Sequence, residues 1–164
     1  MATFVDLFSG CGGFSEGFIH EGFEPLLHVD FDLACCETLR NRLKFLSHED
    51  EVLNGDLTKE KTIVDIIERT KNVNVDVLVG GPPCQSFSTV GRAQDPNSMK
   101  DDPRNYLFKS YLRILEILKP KVFVFENVSG LLSAKPDGNF IFPIIVKLMS
   151  SCYQICDKKE TVLL

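Results

Sequence analysis

Short apolar runs alternate along the chain with segments in which apolar residues recur every three or four positions. The short runs predict β-strands, and the periodic segments predict α-helices. Strands are predicted from Thr3 to Phe8, Leu26 to Val29, weakly near Val52, Val75 to Val79, Val122 to Phe125, and in a final region from Tyr153 to Leu164. Helices are predicted from Phe14 to Glu21, Asp32 to Leu43, Thr58 to Lys71, Arg104 to Leu118, and Phe140 to Ser150. This alternation predicts an α/β fold, a mostly parallel sheet with helices on both faces.

The apolar stripes of the predicted helices indicate which residues face the sheet. The inward positions are predicted to be Cys36, Leu39 and Leu43, then Ile63, Ile66 and Ile67, then Leu107, Phe108, Tyr111, Leu115 and Leu118, and finally Ile141, Ile144, Ile145 and Leu148. Thr58 is a plausible helix cap. Pro143 is tolerable only in the first turn of its helix. The wholly apolar run from Val122 to Phe125 predicts a strand covered on both faces.

Composition narrows the class of protein. The 164 residues make one ordinary domain, and no apolar run is long enough to span a membrane. No basic, apolar leader is present at the N-terminus. None of the six cysteines forms a Cys-x-x-Cys pair or a set with zinc spacing, which predicts no metal, a reducing intracellular compartment and mostly buried thiols. The net charge of -5 predicts either that nucleic acid is not the substrate or that most of the contacts to it lie outside these residues.

Polar or glycine-rich residues follow five of the predicted strands. They are the turn Phe8, Ser9, Gly10, Cys11, Gly12 and Gly13, then Asp30, Asp56, the segment Gly81 to Cys84, and Glu126 with Asn127. Parallel sheets bind ligands beyond the carboxyl ends of their strands. The pattern therefore predicts one site at that edge, next to a long irregular segment from Gly80 to Pro103 of the kind that carries function.

Each of these positions also has a purely structural interpretation. The glycine turn can hold a ligand against backbone, or simply connect a strand to a helix. Asp30 can accept hydrogen bonds from a ribose or cap a helix, and Asp56 can accept from an adenine amino group or shape a turn. Cys84 can be a reactive thiolate or a buried thiol. Glu126, at the end of an apolar strand, can be a partly desolvated proton donor or an acid that caps a turn.

Four segments together resemble the cytosine-carbon-5 methyltransferase family. Asp6 to Phe14 (DLFSGCGGF) looks like its cofactor motif, and Pro82 to Ser88 (PPCQSFS) looks like its nucleophile motif. Glu126-Asn127-Val128 and the segment Asp102 to Phe108 are similar to two further motifs, in the family's order. The resemblance covers nearly the whole chain. It implies a Rossmann-like S-adenosylmethionine-dependent methyltransferase fold.

The resemblance also implies a mechanism and a set of site residues. A cytosine is flipped out of double-stranded DNA, the Cys84 thiolate adds to carbon 6, and Glu126 binds and protonates the ring. Carbon 5 then takes a methyl group from S-adenosylmethionine, which leaves S-adenosylhomocysteine. The implied cofactor-binding residues are Phe8, Ser9, Gly10, Cys11, Gly12, Gly13, Asp30, Phe31, Asp56, Leu57, Pro82 and Leu107. The implied nucleic-acid-binding residues are Gln85, Ser86, Ser88, Arg92 and Arg104, with Lys100 as a further phosphate contact.

The family pattern continues beyond the last residue of this chain. A Gln-Arg-x-Arg signature, the target-recognition domain and a final segment are missing, and Asn105 stands where glycine is more frequent. We therefore expect a single partial catalytic domain over residues 1–164 that binds cofactor weakly and does not methylate DNA alone. It is a fragment, or a subunit completed by a second polypeptide.

Three other functions compete with DNA methylation. Methylation of cytosine in transfer RNA uses the same chemistry, although the Pro-Cys-Gln-Ser-Phe-Ser form looks more like the DNA enzymes. A regulator that keeps only the fold has no need of both Cys84 and Glu126. A nucleotide-dependent oxidoreductase accounts for the glycine turn alone. The expected location is the cytoplasm with its nucleoid, or the nucleus, according to the source.

Overall fold

The computed structural model of the chain describes residues 1–83, 107–135, 138–151 and 153. Five strands are found there: β1 (Thr3–Leu7), β2 (Glu24–Asp30), β3 (Val52–Asn54), β4 (Val77–Gly80) and β5 (Val122–Phe125). The helices are α1 (Gly13–His20), α2 (Leu33–Leu43), α3 (Glu60–Thr70), α4 (Leu107–Leu118) and α5 (Ile141–Ser150). The predicted order of elements is confirmed within these residues. Of the predicted final strand, only Tyr153 belongs to the described part.

All five strands are parallel and lie in the order β3-β2-β1-β4-β5. The chain builds outward from β1 in one direction through β2 and β3, and then returns to build outward in the other through β4 and β5. The order therefore reverses between β1 and β4, and ligands of such sheets bind in the crevice beyond that point.

Helices cover both faces of the sheet, because successive strand residues point in opposite directions. On one face Phe4, Val77 and Val79 pack with Phe14 and Phe18 of α1. The opposite face belongs to the larger core, where Val5, Leu7 and Leu78 join residues of α3, α4 and α5. The prediction of an α/β fold with a parallel sheet between two helical layers is confirmed.

Strand β5 differs from its prediction. Its side chains alternate between exposed and half-buried, and Val122 and Val124 are 55% and 37% exposed. Among the described strands β5 lies at the edge of the sheet. An apolar run can form an edge strand as readily as a central one, so the prediction that both faces are covered is wrong for these residues.

The sequence predicted some, but not all, of the helix residues that are buried. Buried residues include Cys36, Leu39 and Leu43, then Ile63 and Ile66, then Phe108, Tyr111 and Leu115, and finally Ile141 and Ile145. Ile67, Ile144 and Leu148 are exposed, because each helix contacts its neighbours along a stripe narrower than its apolar surface. In place of the last two, Met149 of α5 is buried. No described helix has both the length and the apolar character needed to cross a bilayer.

Two predicted features of the helix starts have opposite outcomes. Pro143 is the third residue of α5 and so lies in the first turn, as predicted. Thr58 does not cap α3, which begins after Lys59 and has no side-chain cap. The backbone amide and hydroxyl of Thr58 instead donate to Asp56 Oδ1, at 2.9 and 2.7 Å.

The described cysteines are less buried than predicted. Cys36 is buried, Cys35 is partly exposed, and Cys11 is exposed. The expectation of mostly buried thiols is therefore wrong for these three, because two of them lie at the carboxyl edge of the sheet rather than beneath it.

Candidate cofactor site and catalytic edge

The turn after β1 depends on left-handed backbone conformations. Phe8, Gly10 and Gly12 have φ angles of 57°, 53° and 93°. A Cβ atom added at Gly12 would lie 2.5 Å from Leu39 Cδ1, so a side chain there would force Leu39 to move. The amide of Gly12 donates to the Ser9 carbonyl at 2.9 Å. Glycine at this point lets the turn tighten against α2.

The carboxylate of Asp30 connects the ends of β1 and β2. Its Oδ2 accepts the Gly10 amide at 2.8 Å, and its Oδ1 accepts the Asp32 amide at 2.8 Å. The helix cap is a different residue, Asp32, whose carboxylate accepts the Cys35 amide at 3.0 Å. Each oxygen of Asp30 keeps a further acceptor position. Asp30 can therefore hold the turn and still accept a hydrogen bond from a ligand hydroxyl.

The end of β3 supports the segment after Asp30. Asn54 Nδ2 donates to the carbonyls of Asp30 and Phe31 at 3.1 and 2.9 Å, and the Gly55 amide donates to the Asp30 carbonyl at 2.8 Å. The Phe31 side chain is 70% exposed on this support. Asn54 was missed by the sequence analysis. Its signal was a polar residue immediately before the Gly55-Asp56 turn.

Asp56 accepts from Thr58 within its own turn. Burial by itself would raise the pKa of Asp56, but the two Thr58 hydrogen bonds and the charge of Lys59 lower the pKa overall. The turn interpretation of Asp56 is therefore correct. It does not compete with a ligand contact, because only Oδ1 receives the Thr58 bonds.

These strand ends surround a small pocket of about 40 Å³. Its lining residues are Phe8, Asp30, Phe31, Gly55, Asp56, Leu57, Pro83 and Leu107. Six of them were predicted as cofactor-binding residues. Gly55 was not predicted, and Pro83 lines the pocket where Pro82 was expected, because Pro82 is buried behind it. The structure thus brings four strand ends and the start of α4 to one place.

The rest of the glycine turn faces a different cavity. Cys11, Gly12 and Gly13 line a space of about 430 Å³ between α1 and α2. An ion pair of Glu16 and Arg42, with 2.5 Å between Oε1 and Nη2, lies on its wall. The turn therefore separates two spaces, and only Phe8 of its residues lines the smaller pocket.

Glu126 lies beside the end of β4. Its amide donates to the Gly80 carbonyl at 3.0 Å, and a Cβ added at Gly81 would lie 2.6 Å from Glu126 Oε2. The absence of a side chain at Gly81 makes room for this carboxylate. Glu126 is exposed, so the prediction of a partly desolvated acid is wrong in this structure. The reason is the edge position of β5.

Several predicted site residues lie outside the described residues. These are Cys84, Gln85, Ser86, Ser88, Arg92, Lys100 and Arg104. Cys84 directly follows Pro83 in sequence.

A buried polar network that the sequence analysis missed lies under the glycine turn. The Ser15 hydroxyl donates to Asp6 Oδ2 at 2.6 Å and lies 2.8 Å from His28 Nδ1. Burial raises the pKa of Asp6 to about 7, with repulsion from Asp30 adding to the effect and the Ser15 bonds opposing it. Burial, with a smaller contribution from His48, lowers the pKa of His28 to about 4. The signal was present as polar residues inside two apolar strands.

A parallel α/β domain with a pocket at the switch point of its sheet defines a class of proteins that bind nucleotide-like cofactors. Comparison with known proteins narrows the class. The sequence profile of the family described as C-5 cytosine-specific DNA methylase matches residues 2–158. The chain belongs to this family.

Similar proteins include curated type II methyltransferases. The chain is 44% identical over 131 residues to the type II methyltransferase M1.HphI of Haemophilus parahaemolyticus, covering 79% of the chain and 33% of the relative. It is 36% identical over 154 residues to M.DdeI of Desulfomicrobium norvegicum, covering 93% of the chain and 34% of the relative. The crystal structure of a DNA modification methyltransferase encoded in an E. coli prophage matches with a TM-score of 0.72 and 29% identity, over 96% of this chain and 40% of that one. The chain thus spans about a third of these two curated relatives.

Proposed function

We propose that this chain is the cofactor-binding and catalytic part of a DNA cytosine-5 methyltransferase. The family to which it belongs and the type II methyltransferases among its relatives support this activity. They also favour DNA over transfer RNA as the substrate. They further favour a role as the methyltransferase of a restriction-modification system. The glycine turn and the pocket alone would suit an oxidoreductase, but the family match does not.

The groups around the pocket suit the nucleoside part of S-adenosylmethionine, which is larger than the pocket of about 40 Å³ and would extend beyond it. The exposed Phe31 ring offers a flat apolar surface for adenine, and the free acceptor positions of Asp30 suit the two ribose hydroxyls. Asp56 Oδ2, which receives neither Thr58 bond, can accept from the adenine amino group. When bound, S-adenosylmethionine supplies the methyl group.

Cys84 and Glu126 have complementary roles in the proposed reaction. The Cys84 thiolate adds to carbon 6 of the flipped cytosine, and the Glu126 carboxyl holds the nitrogen 3 and amino edge and protonates the ring. Carbon 5 gains nucleophilic character, takes the methyl group and then loses its proton as the thiolate leaves. Both residues touch the same pyrimidine, so they must lie on the same edge of the sheet.

The observation that carries this proposal is the position of Glu126 against Gly81. The carboxylate of Glu126 fills the space of a missing side chain at the end of β4, three residues before Cys84. The exposure of Glu126 is compatible with this role, because a base flipped into the site would itself remove the carboxylate from water.

Contacts to duplex DNA are proposed for residues of the segment after Cys84. Gln85, Ser86 and Ser88 follow the nucleophile, and Arg92 and Arg104 can reach phosphates. Because the matched region is only about a third of each relative, we propose that target recognition rests with other residues, in the same polypeptide or a second one. The 164 residues are then expected not to methylate DNA without them.

Covalent trapping tests the proposed chemistry. The chain is mixed with the C-terminal remainder of the Haemophilus relative, S-adenosylmethionine and duplex DNA that carries 5-fluorocytosine, which blocks loss of the carbon-5 substituent. We expect a covalent adduct at Cys84, none with C84S, and far less with E126Q. The control pairs the relative's own N-terminal part with the same remainder. If the control forms the adduct and this chain does not, the proposed reaction is wrong.

Binding of S-adenosylhomocysteine tests the cofactor site separately. F31A removes an exposed ring with little effect on folding and is expected to weaken binding about tenfold, because stacking on a base is worth about 1–3 kcal/mol. F45A is the matched control, since Phe45 is 86% exposed and does not line the pocket. Equal affinities of the two variants in calorimetric or NMR titrations would count against the pocket as the adenine site.

A further inference from the structure

Two thiols meet at the rim of the glycine turn. Cys11 lies in the turn and is exposed, and Cys35 lies in the first helical turn of α2 and is partly exposed. The two Sγ atoms are 3.6 Å apart, within hydrogen-bond distance of each other. The proposed methyl transfer assigns no chemistry to this pair, which lies on two segments 24 residues apart in sequence.

The backbone on both sides of this pair is anchored to the same carboxylate. Asp30 accepts the amide of Gly10, next to Cys11, and also the amide of Asp32, the cap of α2. The Cys35 amide in turn donates to Asp32. The two thiols are thus brought together by the backbone of the site, and not only by the choice of side-chain rotamers.

We propose that Cys11 and Cys35 are an oxidation site that closes reversibly to a disulfide when the protein meets a peroxide. A disulfide requires an S–S distance of about 2 Å, so the two sulfur atoms must approach by roughly 1.5 Å. Reversible cysteine pairs of this type are the usual disulfides of reducing compartments.

The reaction balances with hydrogen peroxide as the oxidant. The Cys11 thiolate attacks one peroxide oxygen, which breaks the O–O bond, and protonation of the released hydroxide gives water and a Cys11 sulfenic acid. The Cys35 sulfur then attacks the Cys11 sulfur and expels the second water. Cys11 takes the first role because it is the more exposed thiol. The hydrogen bond with Cys11, followed by burial and the Asp32 charge, raises the pKa of Cys35 to about 11, so Cys35 is a poor first nucleophile and must lose its proton as it attacks the sulfenic acid.

Cys36 provides an internal control. It neighbours Cys35 in sequence, but it is fully buried, and its thiol lies 3.4 Å from the Asp30 carbonyl, to which it donates. Burial also raises the pKa of the Cys36 thiol. If exposure and the short Sγ–Sγ distance decide which thiols are oxidised, Cys36 should stay unchanged.

Peptide mapping after peroxide treatment tests the proposal. Cleavage after glutamate places Cys11 in a peptide ending at Glu16, and Cys35 with Cys36 in a peptide ending at Glu37. We expect these peptides to be joined through Cys35, with the loss of two hydrogen atoms, and to separate with dithiothreitol. The link should persist in C36A and vanish in C11S and C35S.

A second measurement does not depend on the disulfide. In C35S the Cys11 sulfenic acid has no partner, so dimedone should label Cys11 after peroxide treatment, and it should label Cys11 less in the parent chain. A parent chain that forms no link between these peptides, or one that links through Cys36, would overturn the proposal.

The effect of the bond on ligand binding rests on the proposed function, whereas the bond itself does not. S-adenosylhomocysteine at the turn should slow the oxidation of Cys11 severalfold. If the bond forms at an unchanged rate with ligand present, the oxidation site stands and the placement of the cofactor beside this turn is wrong.

Discussion

Gly12 is the residue at which the turn has least freedom. Its φ of 93° is unfavourable for residues with a side chain, and the added Cβ would press on Leu39. We expect G12A to lower the free energy of unfolding by about 2–4 kcal/mol, the sum of a left-handed conformation and overpacking. Chemical denaturation measures the change.

Gly17 provides the matched control. It lies in α1, and an added Cβ there would have no heavy atom within 4 Å. G17A should stabilise the chain by about 0.5–1 kcal/mol, because alanine favours helix more than glycine does. Equal effects of the two substitutions would mean that the turn is not held as described.

Asp6 and His28 are expected to have opposite effects on the pH dependence of stability. With its pKa raised to about 7 in the fold, Asp6 keeps a proton that the unfolded chain loses above about pH 4, so its contribution falls as pH rises to 7. His28, with its pKa lowered to about 4, stays neutral where the unfolded chain gains a proton, so its contribution rises between about pH 4 and 6.5. In the shared window the two slopes cancel.

Single substitutions should reveal the separate pH dependences of stability that Asp6 and His28 cause. Relative to the parent chain, D6N should become more stable as pH rises from about 4.5 to 6, by up to about 1.4 kcal/mol per pH unit. H28Q should become less stable over the same range. The measurement is the free energy of unfolding at several pH values, and parallel curves for all three proteins would contradict the cancellation.

At the scale of elements, Tyr111 connects α4 with the two strands that carry the proposed catalytic residues. Its hydroxyl lies 3.1 Å from the carbonyls of Leu78 in β4 and Val124 in β5, and its ring packs edge-on against Phe125. Burial, followed by the Tyr153 and Asp6 charges, raises the pKa of Tyr111, so the hydroxyl stays a donor.

We expect Y111F to lower the free energy of unfolding by about 1–2 kcal/mol, because it removes a buried hydrogen bond and keeps the ring. Hydrogen exchange should show faster opening of β5 than of β1. The comparison variant Y111L also removes ring packing and should cost more. A Y111F chain as stable as the parent would show that the hydroxyl does not secure the edge strand.

The elements also show the limits of sequence patterns. Strand β5 was predicted with its correct bounds, but its exposure was not, because an apolar run does not encode which strand lies beside it. Exposure of β5 in turn reversed the expectation that Glu126 is desolvated. One error in strand environment thus changed the exposure expected of a site residue.

At the scale of the whole molecule, the acidic balance predicts weak DNA binding by this chain alone. With 23 acidic and 18 basic side chains, the net charge of -5 opposes contact with phosphates, so affinity for duplex DNA should be low and should depend only shallowly on salt. Fluorescence anisotropy at about 50 and 200 mM salt measures both. Tight binding that weakens steeply with salt would mean that the main DNA-binding contacts lie within these residues.

The sequence by itself determined the α/β class, the order of the elements and the family, because periodicity and motif order are properties of the chain alone. It also predicted which strand ends carry the site, since parallel strands bring their carboxyl ends to one edge. Only the tertiary structure decided that Asp30 joins two strand ends, that Glu126 lies exposed against Gly81, and that Cys11 meets Cys35. These features depend on which segments become neighbours, and that is set by the packing of elements far apart in sequence.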